Sequence, residues 1–302
     1  MQVTTLSGHQ NPIYAVKYHP TKNLFYTAGN DKGIVEWDSN SNIPQRIFNA
    51  IKATTYALEI LNDIDILVAG CNNGDLLLID LKEFKLIKKI NLTSAIFSIK
   101  YVESKNEFII STDSGVMYIV SLNQQEIVHQ FKASNQKIRS FAINSNLNNL
   151  TIVANDGLIS FYNLDDYTFI NQFKGNDMGL SALAYDTTNK FLITGGKDAN
   201  LKVWNLENLE IDKEFAAHLF TIYNIINHPF LPYFATASRD KSIKIWRSTD
   251  YSLFKNLSID KGYDGHRLSV NDITWSNDGK QLVSVSDDKM VKVWDFEGES
   301  KL

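Results

Sequence analysis

Histidine, hydroxyl and carboxylate side chains, the groups that activate a nucleophile in many hydrolases, recur in this chain at fixed distances. In three segments a histidine lies 28 residues before a tryptophan, a serine or threonine lies 10 before it and an aspartate 6 before it. The three sets are His9, Thr27, Asp31 and Trp37; His218, Thr236, Asp240 and Trp246; and His266, Ser284, Asp288 and Trp294. A catalytic set is needed only once. Its repetition at one spacing favours a structural role, and we predict no catalytic residue among them.

Other motifs that carry chemistry are missing from the sequence. It contains no Gly-x-x-x-x-Gly-Lys-Ser/Thr phosphate loop, no Gly-x-Ser-x-Gly elbow, no His-Glu-x-x-His and no Cys-x-x-Cys pair. The single cysteine, Cys71, cannot form an internal disulfide and is expected to be a small buried hydrophobe. We therefore predict no metal site and no cofactor.

Charge and hydropathy restrict the classes of partner. The 302 residues carry 30 basic and 34 acidic side chains, and this net charge of −4 argues against a DNA-binding surface based on net charge. No apolar run approaches the roughly 18 residues that a membrane span needs. The N-terminus lacks the basic start and apolar stretch of a signal peptide. A soluble, cytoplasmic protein is therefore expected.

Tryptophans in closely similar contexts define a repeat: Ile34-Val-Glu-Trp37, Leu201-Lys-Val-Trp204, Ile243-Lys-Ile-Trp246 and Val291-Lys-Val-Trp294. Steps of 41 to 48 residues connect them through three further positions, which gives the series Trp37, Ile79, Val120, Tyr162, Trp204, Trp246 and Trp294. Seven units with so steady a period indicate repeated supersecondary modules.

Each unit is predicted to form four short strands. The first strand carries an apolar residue seven positions after the histidine or its equivalent: Val16, Leu58, Ile99, Phe141, Leu183, Ile225 and Ile273. A second strand, such as residues 24–29, leads into a tight turn whose residues tolerate positive φ, as in Asp31-Lys-Gly33 and Asn73-Gly74. The third strand carries the tryptophan position and a fourth strand follows. No window shows a helical stripe, so the chain is predicted to be all-β.

This repeat resembles that of WD-repeat proteins over essentially the whole chain. The resemblance implies a seven-bladed β-propeller of four-stranded antiparallel blades, with a hydrogen-bonded tetrad of histidine, hydroxyl, aspartate and tryptophan inside each complete blade. Blades one, six and seven match fully, and blade five has Asn176 in place of the histidine. Blades two to four lack both the histidine and the tryptophan. We expect these blades to depend more on apolar packing.

The two ends of the chain are expected to close the ring. The last repeat stops at Phe296, just after its third strand, whereas residues 2–6 form a predicted outer strand before the first repeat. The N-terminal strand should therefore complete blade seven and remove an open sheet edge. Seven blades then use residues 1–302 as a single domain. We expect a monomeric propeller that works within larger complexes.

The resemblance also directs attention to the mouth of the central channel as a partner-binding face. The position five residues after each histidine or its equivalent holds, in blade order, Tyr14, Tyr56, Phe97, Arg139, Ser181, Tyr223 and Asn271. Two cations, Lys197 and Arg239, directly precede the turn aspartates of blades five and six. Aromatic residues and arginine are enriched in interface hot spots. We predict a partner-binding surface that consists of Tyr14, Tyr56, Phe97, Arg139, Lys197, Tyr223 and Arg239. Capping of the inner blade ends is the alternative role of the aromatic residues.

These patterns favour a non-catalytic scaffold or adaptor that binds a protein or peptide partner, such as a peptide with an apolar or acidic anchor. An RNA- or ribonucleoprotein-binding propeller is the first alternative, since the cations could contact phosphates while aromatic rings stack on bases. An enzyme with an unrecognised site in the channel is the second alternative. The insertion around residues 258–263 is predicted to form a longer exposed loop before blade seven.

Overall fold

The computed structural model describes residues 1–61, 64–296 and 298. Within these residues the chain forms seven antiparallel sheets of four strands each. In six sheets the strands follow one another along the chain, and in the seventh the N-terminal strand pairs with the last strand. The predicted all-β fold of seven four-stranded blades is confirmed.

Blades one to four take their strands consecutively from the chain. Blade one contains β2 (Ile13–Tyr18), β3 (Leu24–Gly29), β4 (Ile34–Asp38) and β5 (Ile43–Phe48). Blade two contains β6 (Thr55–Leu61), β7 (Ile66–Cys71), β8 (Asp75–Asp80) and β9 (Lys85–Asn91). Blade three contains β10 (Ile96–Val102), β11 (Glu107–Thr112), β12 (Val116–Ser121) and β13 (Glu126–Lys132). Blade four contains β14 (Ile138–Asn144), β15 (Asn149–Ala154), β16 (Leu158–Asn163) and β17 (Phe169–Lys174).

Blades five to seven follow the same plan until the last strand. Blade five contains β18 (Leu180–Tyr185), β19 (Phe191–Gly196), β20 (Asn200–Asn205) and β21 (Ile211–Ala216). Blade six contains β22 (Ile222–Asn227), β23 (Tyr233–Ser238), β24 (Ile243–Arg247) and β25 (Leu253–Leu257). Blade seven contains β26 (Val270–Trp275), β27 (Gln281–Ser286), β28 (Val291–Asp295) and the N-terminal strand β1 (Val3–Leu6).

The place of each strand in its blade explains its burial. The two middle strands have a neighbouring strand on both sides and other blades against both faces, so β7 and β8 are buried almost throughout. Strands buried on both faces are expected to be nearly continuous in apolar residues, as these two are. The fourth strand lies at the rim, and β9 and β13 expose nearly all their side chains.

Blades two to four are joined by apolar packing where the tetrad residues are missing. Ile79 and Val120, which replace the tryptophan, are 1% and 0% exposed. A core cluster that contains Leu76, Phe108 and Val120 connects blade two to blade three. Complete burial of one such side chain contributes about 1.5–3 kcal/mol, so these contacts can take the place of a polar network.

The tight turns after the second strands use left-handed backbone at different residue types. Gly74 and Gly115 have φ values of 85° and 76°, which suit glycine because it has no Cβ. In blade one the left-handed residue is Lys32, with φ of 60°, rather than the neighbouring Gly33. A Cβ at Gly33 would lie 3.2 Å from the backbone oxygen of Phe48, so close packing against β5 explains this glycine better than turn geometry.

The N-terminal strand completes blade seven. β1 pairs antiparallel with β28, with Val3 opposite Trp294 and Leu6 opposite Val291. The strand begins at Val3, one residue later than predicted, while the carbonyl of Gln2 still accepts a hydrogen bond from the amide of Asp295 at 3.0 Å. The first and last strands of the described chain therefore belong to one sheet, and the ring is closed.

The insertion before blade seven is partly ordered by local structure. Ile259–Lys261 form a single 3₁₀ turn that ends at Gly262 in left-handed conformation, and a second such turn occurs at Glu103–Lys105. Most of the insertion is exposed, but the ring of Tyr263 packs edge-on against Trp294, with 6.1 Å between ring centroids. This contact attaches the insertion to the core of blade seven.

Candidate functional site

The histidine, hydroxyl, aspartate and tryptophan of blade one form one hydrogen-bonded chain. The indole nitrogen of Trp37 donates to the hydroxyl of Thr27 at 2.8 Å, Thr27 lies 2.7 Å from Nε2 of His9, and Nδ1 of His9 lies 2.7 Å from Asp31. An indole can only donate and a carboxylate can only accept, so Trp37 donates to Thr27 and Nδ1 of His9 donates to Asp31. When the Thr27 hydroxyl donates its one proton to Nε2, the imidazole is neutral and carries its proton on Nδ1.

The same chain occurs in blades six and seven. His218 contacts Asp240 at 2.9 Å and Thr236 at 2.7 Å, while Trp246 donates to Thr236 at 3.0 Å. The corresponding distances in blade seven are 3.0 Å for His266 to Asp288, 2.8 Å for His266 to Ser284 and 2.9 Å for Trp294 to Ser284. Thr27, Thr236 and Ser284 are all 0% exposed. None of these hydroxyls is placed to attack a substrate that arrives from solvent.

Incomplete blades keep parts of this arrangement. In blade five Trp204 donates to Thr194 at 2.8 Å, while the side chain of Asn176 accepts from the amide of Met178 instead of reaching the hydroxyl. In blade four the hydroxyl of Ser134, at the histidine position, donates to Asp156 at 2.6 Å. Local bonds therefore fix the same loops where the histidine is absent.

Burial determines the protonation of the tetrads. It lowers the pKa of His9, His218 and His266 below the ordinary value, and this effect exceeds the opposing attraction of the aspartate beside each histidine. The pKa of Asp288 falls to about 2 because hydrogen bonds from His266 and from backbone amides outweigh burial. A neutral imidazole beside an ionised carboxylate agrees with the direction of the hydrogen bonds.

At the channel mouth the predicted ring residues contact one another in sequence. The rings of Tyr14 and Tyr56 meet edge-on with centroids 5.2 Å apart, and Tyr56 stacks on Phe97 at 5.5 Å. The guanidinium of Arg139 lies 5.1 Å from the centroid of Phe97 and 5.4 Å from that of Tyr223. Arginine over an aromatic face is a favourable cation–π contact. Arg139 thus bridges blade three to blade six across the opening.

A cavity of about 520 Å³ lies in the channel beside these five residues and is lined by all of them. Tyr14, Tyr56, Phe97 and Tyr223 are half-buried, whereas Arg139 is exposed. The ring is incomplete at blades five and seven. Ser181 is buried and donates to the carbonyl of Ile222 at 2.6 Å, and Asn271 donates to Asp287 at 2.8 Å.

Lys197 and Arg239 lie outside this cavity. They are exposed on the turns after β19 and β23, and their backbone amides donate to the carbonyls of Gly179 and Thr221. The seven predicted binding residues thus divide into five that line the channel and two that lie on the surrounding face. We call this surface, which carries the loops after the histidine positions and the turns after the second strands, the channel-mouth face.

Charged residues inside the channel escaped the sequence prediction. Nζ of Lys17 lies 2.7 Å from Glu59, and Asp272 accepts hydrogen bonds from the amide of Val16 and the side chain of Asn224. Asp272 therefore connects blades six, seven and one, and burial raises its pKa to about 6. The sequence contained one signal for these residues, because each is a charged side chain within a predicted inner strand.

The described ranges hold neither a metal-binding cluster nor a membrane-spanning helix. Among residues 1–61, 64–296 and 298, no group of three or more histidine, cysteine, aspartate or glutamate side chains could hold a metal ion. The same part of the chain has no helix of the length and apolarity required to traverse a bilayer. Cys71 is fully buried, and burial raises the pKa of its thiol to about 11.

Four segments of the chain match a known repeat family. The repeat described as "WD domain, G-beta repeat" matches four segments, residues 1–38, 167–205, 210–247 and 258–295. These segments amount to slightly more than half of the 302 residues and end at or just after the tryptophans of blades one, five, six and seven. The unmatched stretch between residues 38 and 167 holds most of blades two to four, where other side chains replace the tryptophan.

Proposed function

Since the chain belongs to the family of WD-domain, G-beta repeat proteins, we propose that it is a non-catalytic scaffold that binds protein or peptide partners at the channel-mouth face. In this proposal residues 1–302 act as one domain, a monomeric propeller of the cytoplasm that works within larger complexes. Proteins of this family are typically platforms for protein interaction.

The observation that carries the proposal is the connected ring at the mouth of the channel. Tyr14, Tyr56, Phe97, Arg139 and Tyr223 come from five blades, yet they form an unbroken series of ring and cation–π contacts. These contacts fix the side chains before a partner arrives, so little conformational entropy is lost on binding. Aromatic and arginine side chains at the centre of such a surface are the residue types that dominate interface energies.

The ring contacts also agree with the capping role, because the aromatic residues cover the inner ends of their blades. Capping alone does not explain Arg139. Its guanidinium is exposed beside two aromatic faces, and its five N–H donors suit the carboxylate of an acidic peptide. A partner with an acidic residue next to an apolar one would use both the cation and the neighbouring rings.

Affinity capture from native lysate tests the proposal. We expect wild-type protein to retain partners that the variant Tyr14→Ala/Arg139→Glu/Tyr223→Ala loses, while a rim variant, Ile87→Ser, retains them. Circular dichroism first establishes that all three preparations are folded. Recovery of the same proteins by all three would contradict binding at the channel mouth. Loss of the retained proteins after nuclease treatment would favour the RNA-binding alternative instead.

A further inference from the structure

Large apolar side chains are exposed on one sector of the channel-mouth face. Leu219 is 81% exposed, Met178 58%, Phe220 56% and Leu268 48%. All four lie in the loops that follow the histidine positions of blades five, six and seven. The corresponding loops of blades one to four are polar or small: Gln10-Asn11-Pro12, Lys52-Ala53-Thr54, Thr93-Ser94-Ala95 and Asn135-Gln136-Lys137. The two halves of the face therefore differ in chemistry.

The three loops are neighbours around the ring. Ser181, three residues after Met178, donates to the carbonyl of Ile222, two residues after Phe220. On the other side of blade six, Ala237 and Val270 belong to one core cluster, and Val270 lies two residues after Leu268. The four exposed side chains thus lie on three adjacent loops. We call them together the blade 5–7 patch, which consists of Met178, Leu219, Phe220 and Leu268.

The central loop of this patch is held in place by hydrogen bonds. The amide of Leu219 donates to Asp240 at 2.9 Å, and the carbonyl of Phe220 accepts from the hydroxyl of Ser238 at 3.0 Å. The next carbonyl, of Thr221, accepts from the amide of Arg239 at 2.9 Å. Bonds along the whole loop hold the backbone so that Leu219 and Phe220 project from a fixed base. A fixed apolar pair loses little freedom when a partner covers it.

Cations surround the apolar residues. Arg267 is exposed on the blade-seven loop, and Lys197, Arg239 and Lys241 are exposed on the neighbouring turns after β19 and β23. Within the described residues the side chains of these four cations make no hydrogen bond and no ion pair within 4 Å. The tetrad aspartates of blades six and seven face inward: the side chains of Asp240 and Asp288 are only 4% and 8% exposed and are hydrogen-bonded to imidazoles. Asp177, at the edge of the sector, is 97% exposed and lies 3.8 Å from Lys174. Asp264, whose side chain is 63% exposed, pairs with Lys292 at 3.0 Å and attracts Arg267. On the turn beside the apolar pair, the exposed charged side chains are the cations Arg239 and Lys241, although the whole chain carries −4.

From this combination we propose that the blade 5–7 patch is a docking surface for an acidic peptide segment in which bulky apolar residues alternate with aspartate or glutamate. The apolar residues would cover Leu219 and Phe220, and the carboxylates would pair with Arg239, Lys241 and Arg267. The proposal deepens the proposed function by stating the chemistry of a partner, and it extends the surface outward from the channel mouth. Its site is distinct from the five ring residues, so the two can be tested separately.

Selection from a random dodecapeptide library displayed on phage tests the proposal on the complete chain. We expect wild-type protein to enrich peptides with net negative charge and at least two large apolar residues. A synthetic peptide of the enriched sequence should bind the variant Leu219→Ser/Phe220→Ser at least about tenfold more weakly, which corresponds to about 1.4 kcal/mol. The variant Lys241→Glu/Arg267→Glu should bind it more weakly too, and the loss on adding salt should be smaller than for wild type.

Two controls separate the outcomes. The variant Phe230→Ser removes a side chain that is 72% exposed outside the patch and should bind the peptide like wild type. Tyr14→Ala/Arg139→Glu/Tyr223→Ala should also retain the peptide if the patch is a site of its own. Enrichment of basic or neutral peptides, or no enrichment at all, would refute the acidic-peptide proposal. A peptide lost only with the channel variant would also refute it and would leave the proposed function standing.

Discussion

Replacement of His218 by alanine is the sharpest test of the tetrad description. The change deletes the hydrogen bonds that connect the imidazole with the buried side chains of Asp240 and Thr236. Asp240 keeps the amide of Leu219 and the hydroxyl of Ser242 as donors, so its charge is only partly deprived of partners. A hydrogen bond to a charged group contributes about 1.5–3 kcal/mol, and loss of the bond to Thr236 adds to this, so we expect a total loss of about 3 kcal/mol.

This free energy converts into a measurable shift in melting temperature. Unfolding entropy is about 2.1 cal/mol/K per residue, so a chain of 302 residues has about 630 cal/mol/K and a loss of 3 kcal/mol lowers the Tm by about 5 °C. Differential scanning calorimetry at pH 7.5 gives this shift. The control is His129→Ala on the exposed rim strand β13, which should change the Tm by less than about 1 °C because exposed substitutions have small effects. Equal Tm losses for both variants would show that the tetrad histidine is not a structural element.

The same variant tests the protonation state. Because burial lowers the pKa of His218 in the folded protein, the unfolded chain binds the proton more readily. The stability that this histidine contributes is therefore present above its ordinary pKa of 6.5 and is lost as the pH falls below that value. We expect the wild-type Tm to fall more steeply between pH 7.5 and pH 5 than that of His218→Ala. Identical slopes would mean that the pKa of His218 is the same in the folded and the unfolded protein.

Two further predictions concern the channel wall and the closure of the ring. Burial raises the pKa of Asp272 to about 6, so ionisation of this carboxyl opposes folding as the pH rises through that value. The difference in Tm between Asp272→Asn and wild type should therefore shift in favour of the variant between pH 5 and pH 7.5. A difference independent of pH would contradict this prediction. Thr5 lies opposite Lys292 in the closing strand pair, and Nζ of Lys292 donates to its hydroxyl at 2.7 Å. The variant Thr5→Cys/Lys292→Cys should therefore form an internal disulfide under mild oxidation, detected as a mass loss of about 2 Da. If both introduced thiols react with a maleimide while the protein is folded, the ring is not closed by this strand pair.

The sequence was sufficient to predict the number of blades because the repeat is carried by spacing. Apolar residues at one position of every inner strand and a nearly constant interval between tryptophan positions survive even in blades two to four, where Ile79 and Val120 replace the indole. The start of β1 was displaced by one residue, to Val3, since hydrogen bonding and not residue type determines where a strand begins.

Features that depend on contacts between blades could not be predicted from one repeat at a time. Arg139 lies between Phe97 and Tyr223, which are separated from it by 42 and 84 residues, and nothing in the spacing indicates that its side chain crosses the channel. Leu219 and Phe220 were also overlooked, because apolar residues near a strand suggest a core position until their exposure is known. The sequence indicated which residues recur, while the exceptions to the repeat carry most of the candidate binding surface.

The most direct test of the scaffold proposal is to find where a captured partner binds. Hydrogen–deuterium exchange of the backbone amides, compared with and without the partner, measures this. We predict slower exchange on binding at the channel-mouth ends of β2, β6, β10, β14 and β22, which carry the five ring residues, and no change along the rim strands β5, β9 and β13. Protection confined to the rim, with the channel-mouth peptides exchanging as in the free protein, would contradict the account.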